Sequence, residues 1–121
     1  MWSRAVISWQ PNNEAMKNNN NMNVTINKQN EKTLVTLEGR VDSTNADQFQ
    51  QDVAPLMEGE KPDIDIDCTN MTYTSSQGLR VFLLLQKSVV ARNGKMVLHN
   101  MNPRVKEVFD ITGFSNIITI I

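Results

Sequence analysis

The stretch Pro62-Asp63-Ile64-Asp65-Ile66-Asp67 limits the fold more than any other part of the chain. Strict alternation at period two puts the isoleucines on one side of an extended backbone and the aspartates on the other. The segment therefore requires a strand in a sheet that is packed on one face and wet on the other. Aspartates at this spacing also raise the question of a cation site. Side chains on one strand point the same way without converging on a point, so a solvated strand face is the better reading, and neither metal nor cofactor is expected.

Around this strand, short strand-like runs alternate with amphipathic helices. Asn23 to Asn27 and Thr33 to Glu38 read as two strands joined by a hairpin turn at Asn30-Glu31. After Gly39-Arg40-Val41, one of Asp42, Ser43 or Thr44 is placed to cap a helix with Ala46, Phe49, Val53 and Leu56 or Met57 as its apolar positions, and Pro55 should kink or end it. A longer helix is expected from about Ser76 to Asn93, with Leu79, Phe82, Leu83, Val89 and Val90 buried, Leu85 at the margin, and a left-handed cap at Asn93-Gly94. Lys95 to His99 reads as a strand. Asn102-Pro103 then opens a helix with Val105, Val108 and Phe109 inward and Gly113 as its stop, and Ile117 to Ile121 closes the chain as a strand. The order β-β-α-β-α-β-α-β gives an α/β fold: a mixed four- to five-stranded sheet, antiparallel at the start, with right-handed helical crossovers and helices mainly on one face.

With 121 residues the chain holds one core, and it divides into a tail, 1–21, and a domain, 22–121. The tail carries Trp2 and Trp9 without a sustained apolar period and runs into four consecutive asparagines, Asn18 to Asn21, so it is expected to be loose. Met16 and Met22 precede the first strand, and a native start at either is expected; a native N-terminal sequence beginning at Met1 would refute this. Twelve Lys+Arg balance thirteen Asp+Glu, which removes the basic field that nucleic acid or an anionic membrane selects. The lone Cys68 excludes an internal disulfide framework and suits a reducing compartment. No run reaches the ~18 apolar residues of a membrane span, and the start does not read as a signal peptide. A cytoplasmic protein is expected.

Chemistry concentrates at Thr72-Tyr73-Thr74-Ser75-Ser76-Gln77-Gly78-Leu79-Arg80, where the chain leaves the Ile-Asp strand and enters the long helix. Ser75 or Ser76 serves at least as the helix cap. Gly78 costs ~1 kcal/mol relative to alanine inside a helix, so something must approach the backbone closely there. Tyr73 reads as a packed aromatic in the intervening loop.

The run Ser75-Ser76-Gln77-Gly78-Leu79-Arg80, following strand, Asp67-Cys68 and loop, resembles the STAS domain, and specifically the anti-sigma factor antagonists with their Asp-Ser-Ser-Gly-Leu or Ser-Ser-x-Gly-Leu-Arg motif. Leu37-Glu38-Gly39-Arg40-Val41-Asp42 is similar to the loop entering the family's first helix, and Val108 to Phe114 to its last helix and stop. The resemblance covers Met22 to Ile121. It implies a non-enzymatic switch that, unphosphorylated, binds an anti-sigma factor which is also a serine kinase, and that is released by phosphorylation and restored by a serine phosphatase. Aligned on Gly78 and Leu79, the phosphorylated serine falls on Ser76. Ser75 stands where the family usually has aspartate, and is the alternate acceptor.

Independently of the family, a helical wheel of ~100° per residue puts Val81, Leu84, Ser88 and Ala91 opposite the expected buried stripe. Val81 and Leu84, with Thr74, Ser75, Gln77, Arg80 and the loop residues Gly39, Arg40, Asp42 and Ser43, are therefore the expected partner surface. Arg80 is one turn from Ser76 and spaced to approach a phosphate there. A constitutive STAS scaffold in a transporter, lipid-trafficking or stress-signalling complex is the alternative. A hydrolase with Ser75 or Ser76 as nucleophile and His99 as base lacks a Gly-x-Ser-x-Gly elbow. No glycine-rich phosphate loop is present, so ATP would be used by the partner.

Overall fold

The computed structural model describes residues 22–121, and the expectations for residues 1–21 lie outside the described residues. Strands β1 (Met22–Gln29) and β2 (Lys32–Val41) form a hairpin whose turn places Asn30 at φ 53°, a left-handed conformation that asparagine tolerates. There follow α1 (Ala46–Val53), a 3-10 turn (Ala54–Met57), β3 (Asp63–Thr74), α2 (Ser76–Ala91), β4 (Lys95–His99), α3 (Pro103–Ile111), a second 3-10 turn (Phe114–Asn116) and β5 (Thr119–Ile120). The sheet order is β1-β2-β3-β4-β5, with β1 antiparallel to β2 and every later pairing parallel. The helices lie on one face, as the aspartate alternation requires.

Ile64, Ile66 and Cys68 of β3 are buried with Val35, Leu37, Met96 and Leu98 of its neighbours, while Asp63, Asp65 and Asp67 remain partly exposed on the other face. There, Asp65 accepts from Lys32 Nζ at 2.9 Å and lies 3.1 Å from His99 Nε2. The lysine bond, then the histidine, hold its carboxyl below the usual range. Burial pushes the Cys68 thiol up to about 12, so it packs as an inert apolar group. Among the described residues no cluster of side chains is arranged to hold a metal.

Phe49 of α1, Phe82 of α2 and Phe109 of α3 form a spine of tilted, edge-on ring contacts, with centroids 5.4 and 5.5 Å apart. Pro55 ends α1, whose last turn tightens into the 3-10 segment. Asn102 caps α3 by accepting from Val105 N at 3.0 Å, Pro103 begins it, and Gly113 at φ 85° stops it.

Several sequence expectations need correction. No loop separates the Ile-Asp strand from α2: β3 runs on to Thr74 because β2 offers partners at Gly39↔Met71, Arg40↔Tyr73 and Val41↔Thr74. Two register shifts in this stretch interrupt the period-two pattern, which is why it does not look like strand. The cap of α1 is none of Asp42, Ser43 and Thr44. The helix starts after Asn45, whose side chain instead ties the preceding loop, accepting from Asp42 N at 2.8 Å and donating to Arg40 O at 2.9 Å.

The buried face of α2 is Gly78, Leu79, Val81, Phe82, Leu85 and Val89. Leu83 is half-buried and Val90 is 59% exposed, whereas Val81, expected at the surface, is 2% exposed. Gly78 accounts for the difference. Its bare backbone faces inward against Val41 and Thr74, which turns the helix so that Val81 and Leu85 follow it into the core. Of the last strand, only Thr119–Ile120 pair, after a 3-10 turn that the sequence did not announce.

Candidate functional site: the strand-to-helix junction

At the end of the sheet, Ser75 N donates to Val41 O at 3.0 Å and so clamps the start of α2 to the end of β2. Ser75 is extended (φ −99°, ψ 179°) and its hydroxyl oxygen accepts from Gly78 N at 3.3 Å, while its carbonyl accepts the first helical bond from Leu79 N. It is therefore the N-cap, half-buried and committed to the fold. Ser76 begins the helix proper and is exposed; its hydroxyl donates to Gln77 Oε1 at 3.2 Å. Gln77 and Arg80 are also exposed, and the first turn of α2 holds no acidic residue.

Gly78 is buried, and a Cβ there would meet Thr74 Oγ1 and, at 2.6 Å, Val41 Cγ1. The close approach that this glycine allows is thus between α2 and the ends of two strands, inside the domain. Thr74, expected on the partner surface, is 2% exposed and lies beneath Gly78 for the same reason.

The neighbouring loop is held by polar bonds. Asp42 accepts from Thr44 through both hydroxyl and amide and from Arg40 Nε at 3.2 Å; the Thr44 hydroxyl contributes most to keeping its carboxyl below the usual range. Arg40 extends over the ring of Tyr73, 5.0 Å from guanidinium carbon to ring centroid. Thr72 Oγ1 donates to Gly39 O at 3.1 Å.

Of the expected surface, Arg40, Ser43, Ser76, Gln77, Arg80 and Leu84 are exposed, and Gly39, Asp42 and Ser75 are half-buried. Val41 O and the Arg40–Tyr73 stack bring the loop to the helix start, whereas Leu84 lies two turns along α2, ~12 Å away. Thr74 and Val81 drop out. Tyr73, expected to be packed, is 44% exposed. Reading Thr72-Tyr73-Thr74 as strand would have found it, since Thr74 inward means Tyr73 outward.

His99 is remote from the serines. It pairs with Asp67, and from Asp67 the strand climbs seven residues, roughly 20 Å, before Thr74. Its ring is turned to Asp65 on the open face, so it pairs with neither Ser75 nor Ser76. The described residues include no helix long and apolar enough to cross a membrane.

Comparison with known proteins agrees with this geometry. The STAS domain profile matches residues 21–121. The anti-sigma-B factor antagonist of Bacillus subtilis is 36% identical over 101 residues, covering 83% of this chain and 91% of that protein. Among solved structures, the anti-sigma factor antagonist SpoIIAA in its unphosphorylated form superimposes with a TM-score of 0.68 at 19% identity, covering 82% of this chain and 88% of that one. The phosphorylated form of the Bacillus cell fate determinant SpoIIAA gives 0.62 at 18% identity, covering 82% and 91%. Sequence match, sheet order and junction together place the chain in the STAS domain family, among the regulatory, non-catalytic anti-sigma factor antagonists.

Proposed function

We propose that this protein is a phosphorylation-controlled antagonist of an anti-sigma factor. In this reading it binds and sequesters an anti-sigma factor with serine-kinase activity while Ser76 is unmodified, releases it once Ser76 is phosphorylated, and is reset by a serine phosphatase. The observation that carries the choice of serine is the division of labour at the helix start: Ser75 spends its hydroxyl oxygen on Gly78 N, while Ser76 presents an exposed hydroxyl bonded, among the described residues, only to the Gln77 side chain. A kinase can engage Ser76 without dismantling the cap.

The consequence for binding follows from charge. A phosphate brings about −1.5 to −2 charges and three acceptor oxygens. On the free domain it meets water, the amides of the first turn and Arg80 one turn on. Under a docked partner it would have to be desolvated, and the complex separates.

The test is to incubate the chain and ATP with the anti-sigma factor serine kinase of the same genome and to read intact mass and modified residue. One added phosphate on Ser76, lost in Ser76→Ala, is expected. Phosphate on Ser75 would move the switch by one residue. A stable complex without any phosphate would replace this reading by the constitutive scaffold.

A further inference from the structure

Tyr73 is an exposed aromatic with no core to serve. The residue is 44% exposed at the end of β3, one face of its ring is taken by the Arg40 guanidinium at 5.0 Å, and the next inward residue, Thr74, already fills the space under α2. β4 pairs with β3 only as far as Asp67, so the arm of β3 that carries Tyr73 extends past β4, paired to β2 on one side and bonded on the other by Asn102 Nδ2, which donates to Met71 O at 2.9 Å. Three residues further along the chain is Ser76.

Arg40 is itself fixed. Asp42 takes its Nε at 3.2 Å, and Asp42 is fixed in turn by Thr44, so the stacked pair loses little freedom on being covered. An aromatic ring and a guanidinium, both ordered before contact, are the side chains that most often anchor an interface.

We infer that the Arg40–Tyr73 stack is an anchor of the partner-binding surface, receiving an apolar side chain of the partner on Tyr73 and a carboxylate on the guanidinium edge that Asp42 leaves open. The inference rests on the proposed anti-sigma factor partnership and extends its surface onto the last paired residues of β2 and β3. The stack is also the element through which the end of β2, with Asp42 and Ser43 after it, and the serine junction act as one surface, because Arg40 pairs with Tyr73 across the sheet and Tyr73 leads directly into the junction.

The test is calorimetric titration of the full chain into the same purified anti-sigma factor serine kinase, with Tyr73→Ala, Tyr73→Phe, Arg40→Met and Ser76→Asp. Tyr73→Ala should weaken binding about 30-fold or more, as truncation of an anchoring aromatic does. Tyr73→Phe keeps the ring and should bind as the parent does. Arg40→Met, which loses the charge but keeps an apolar cover, should weaken binding by about tenfold. Thermal melts within a degree or two of the parent exclude a folding defect for these exposed positions. If Ser76→Asp weakens binding and Tyr73→Ala does not, the anchor is refuted while the switch stands. If the parent chain does not bind the kinase, the proposed function falls and the anchor falls with it.

Discussion

Replacing Gly78 by alanine sets two effects of opposite sign against each other at one atom. Alanine is the better helix former by about 1 kcal/mol, and Gly78 is the third residue of α2, so propensity alone predicts stabilisation. The added Cβ, however, would meet Thr74 Oγ1 and sit 2.6 Å from Val41 Cγ1, closer than real carbon contacts allow. Neither neighbour can give way easily: Val41 and Thr74 are paired strand residues, both β-branched and both buried. Overpacking of a tight core costs about 1–3 kcal/mol, and two immobile neighbours put this site near the top of that range. The expected net loss is therefore about 2 kcal/mol, or roughly 8–15 °C in melting temperature for a domain of this size. Urea denaturation should show a lower midpoint at unchanged slope. The Val41→Ala background supplies the control: with the clashing methyls gone, Gly78→Ala should cost at least about 1 kcal/mol less than in the parent. A Gly78→Ala protein as stable as the parent, or more stable, would refute the claim that close packing at the junction explains this glycine.

Other consequences follow from the same contacts. Arg92→Ala should lose about 2–3 kcal/mol in urea denaturation, because its guanidinium donates to the carbonyls of Leu56, Glu58 and Gly59 beyond α1 and to Ser88 O, and lysine cannot span that set. Val81→Asp should unfold the domain, whereas Leu84→Asp, at a position 37% exposed, should melt normally and weaken binding to the anti-sigma factor. Ser75→Ala should cost about 1 kcal/mol in thermal or urea stability as a lost cap, while Ser76→Ala stays within about 0.5 kcal/mol of the parent. In acid, Asp65 is held below its ordinary range by Lys32 first and then His99, so the unfolded chain takes up its proton more readily. The stability it contributes is complete above about pH 4 and lost as pH falls through the folded value. Urea midpoints at pH 7 and pH 3 should therefore differ less in Asp65→Asn than in the parent.

How much of this could be read from the sequence depended on which force set each element. The Ile64/Ile66 alternation, the Asn102-Pro103 start and the Gly113 stop are local signals, and each appears where it was expected. The errors lie where tertiary contact overrides local pattern. β3 outruns its alternation because β2 continues beside it through two register shifts. The inner face of α2 is set by a residue with no side chain, Gly78, so a wheel weighted by bulky apolar residues rotated Val81 outward and Val90 inward. Asn45 stands at the N-cap position, where capping preference would allow it, but its side chain bonds backbone groups of Arg40 and Asp42 and not the helix amides, which no capping rule shows. At the site, the adjacent serines, Gln77 and Arg80 could be picked out from sequence, but their division into cap and exposed hydroxyl required the Ser75 to Gly78 bond.

In the proposed switch, that division lets a charge change be read by a partner without being felt by the fold. The cap bond at Ser75 and the clamp from Ser75 N to Val41 O hold the junction whatever happens to the next hydroxyl. An anion at Ser76 gains from the helix N-terminus, an effect of about 0.3–1 kcal/mol at an exposed site, and meets no acidic residue in the first turn. The free domain is therefore indifferent to the proposed phosphate or slightly favours it. A partner seated over Ser76 faces a different balance, because stripping water from a doubly charged group costs several kcal/mol unless matched by new cations. Every ~1.4 kcal/mol of that difference is a factor of ten in affinity. The switching energy thus resides almost entirely in the complex. For that reason the proposed modification falls on the hydroxyl that the fold does not use.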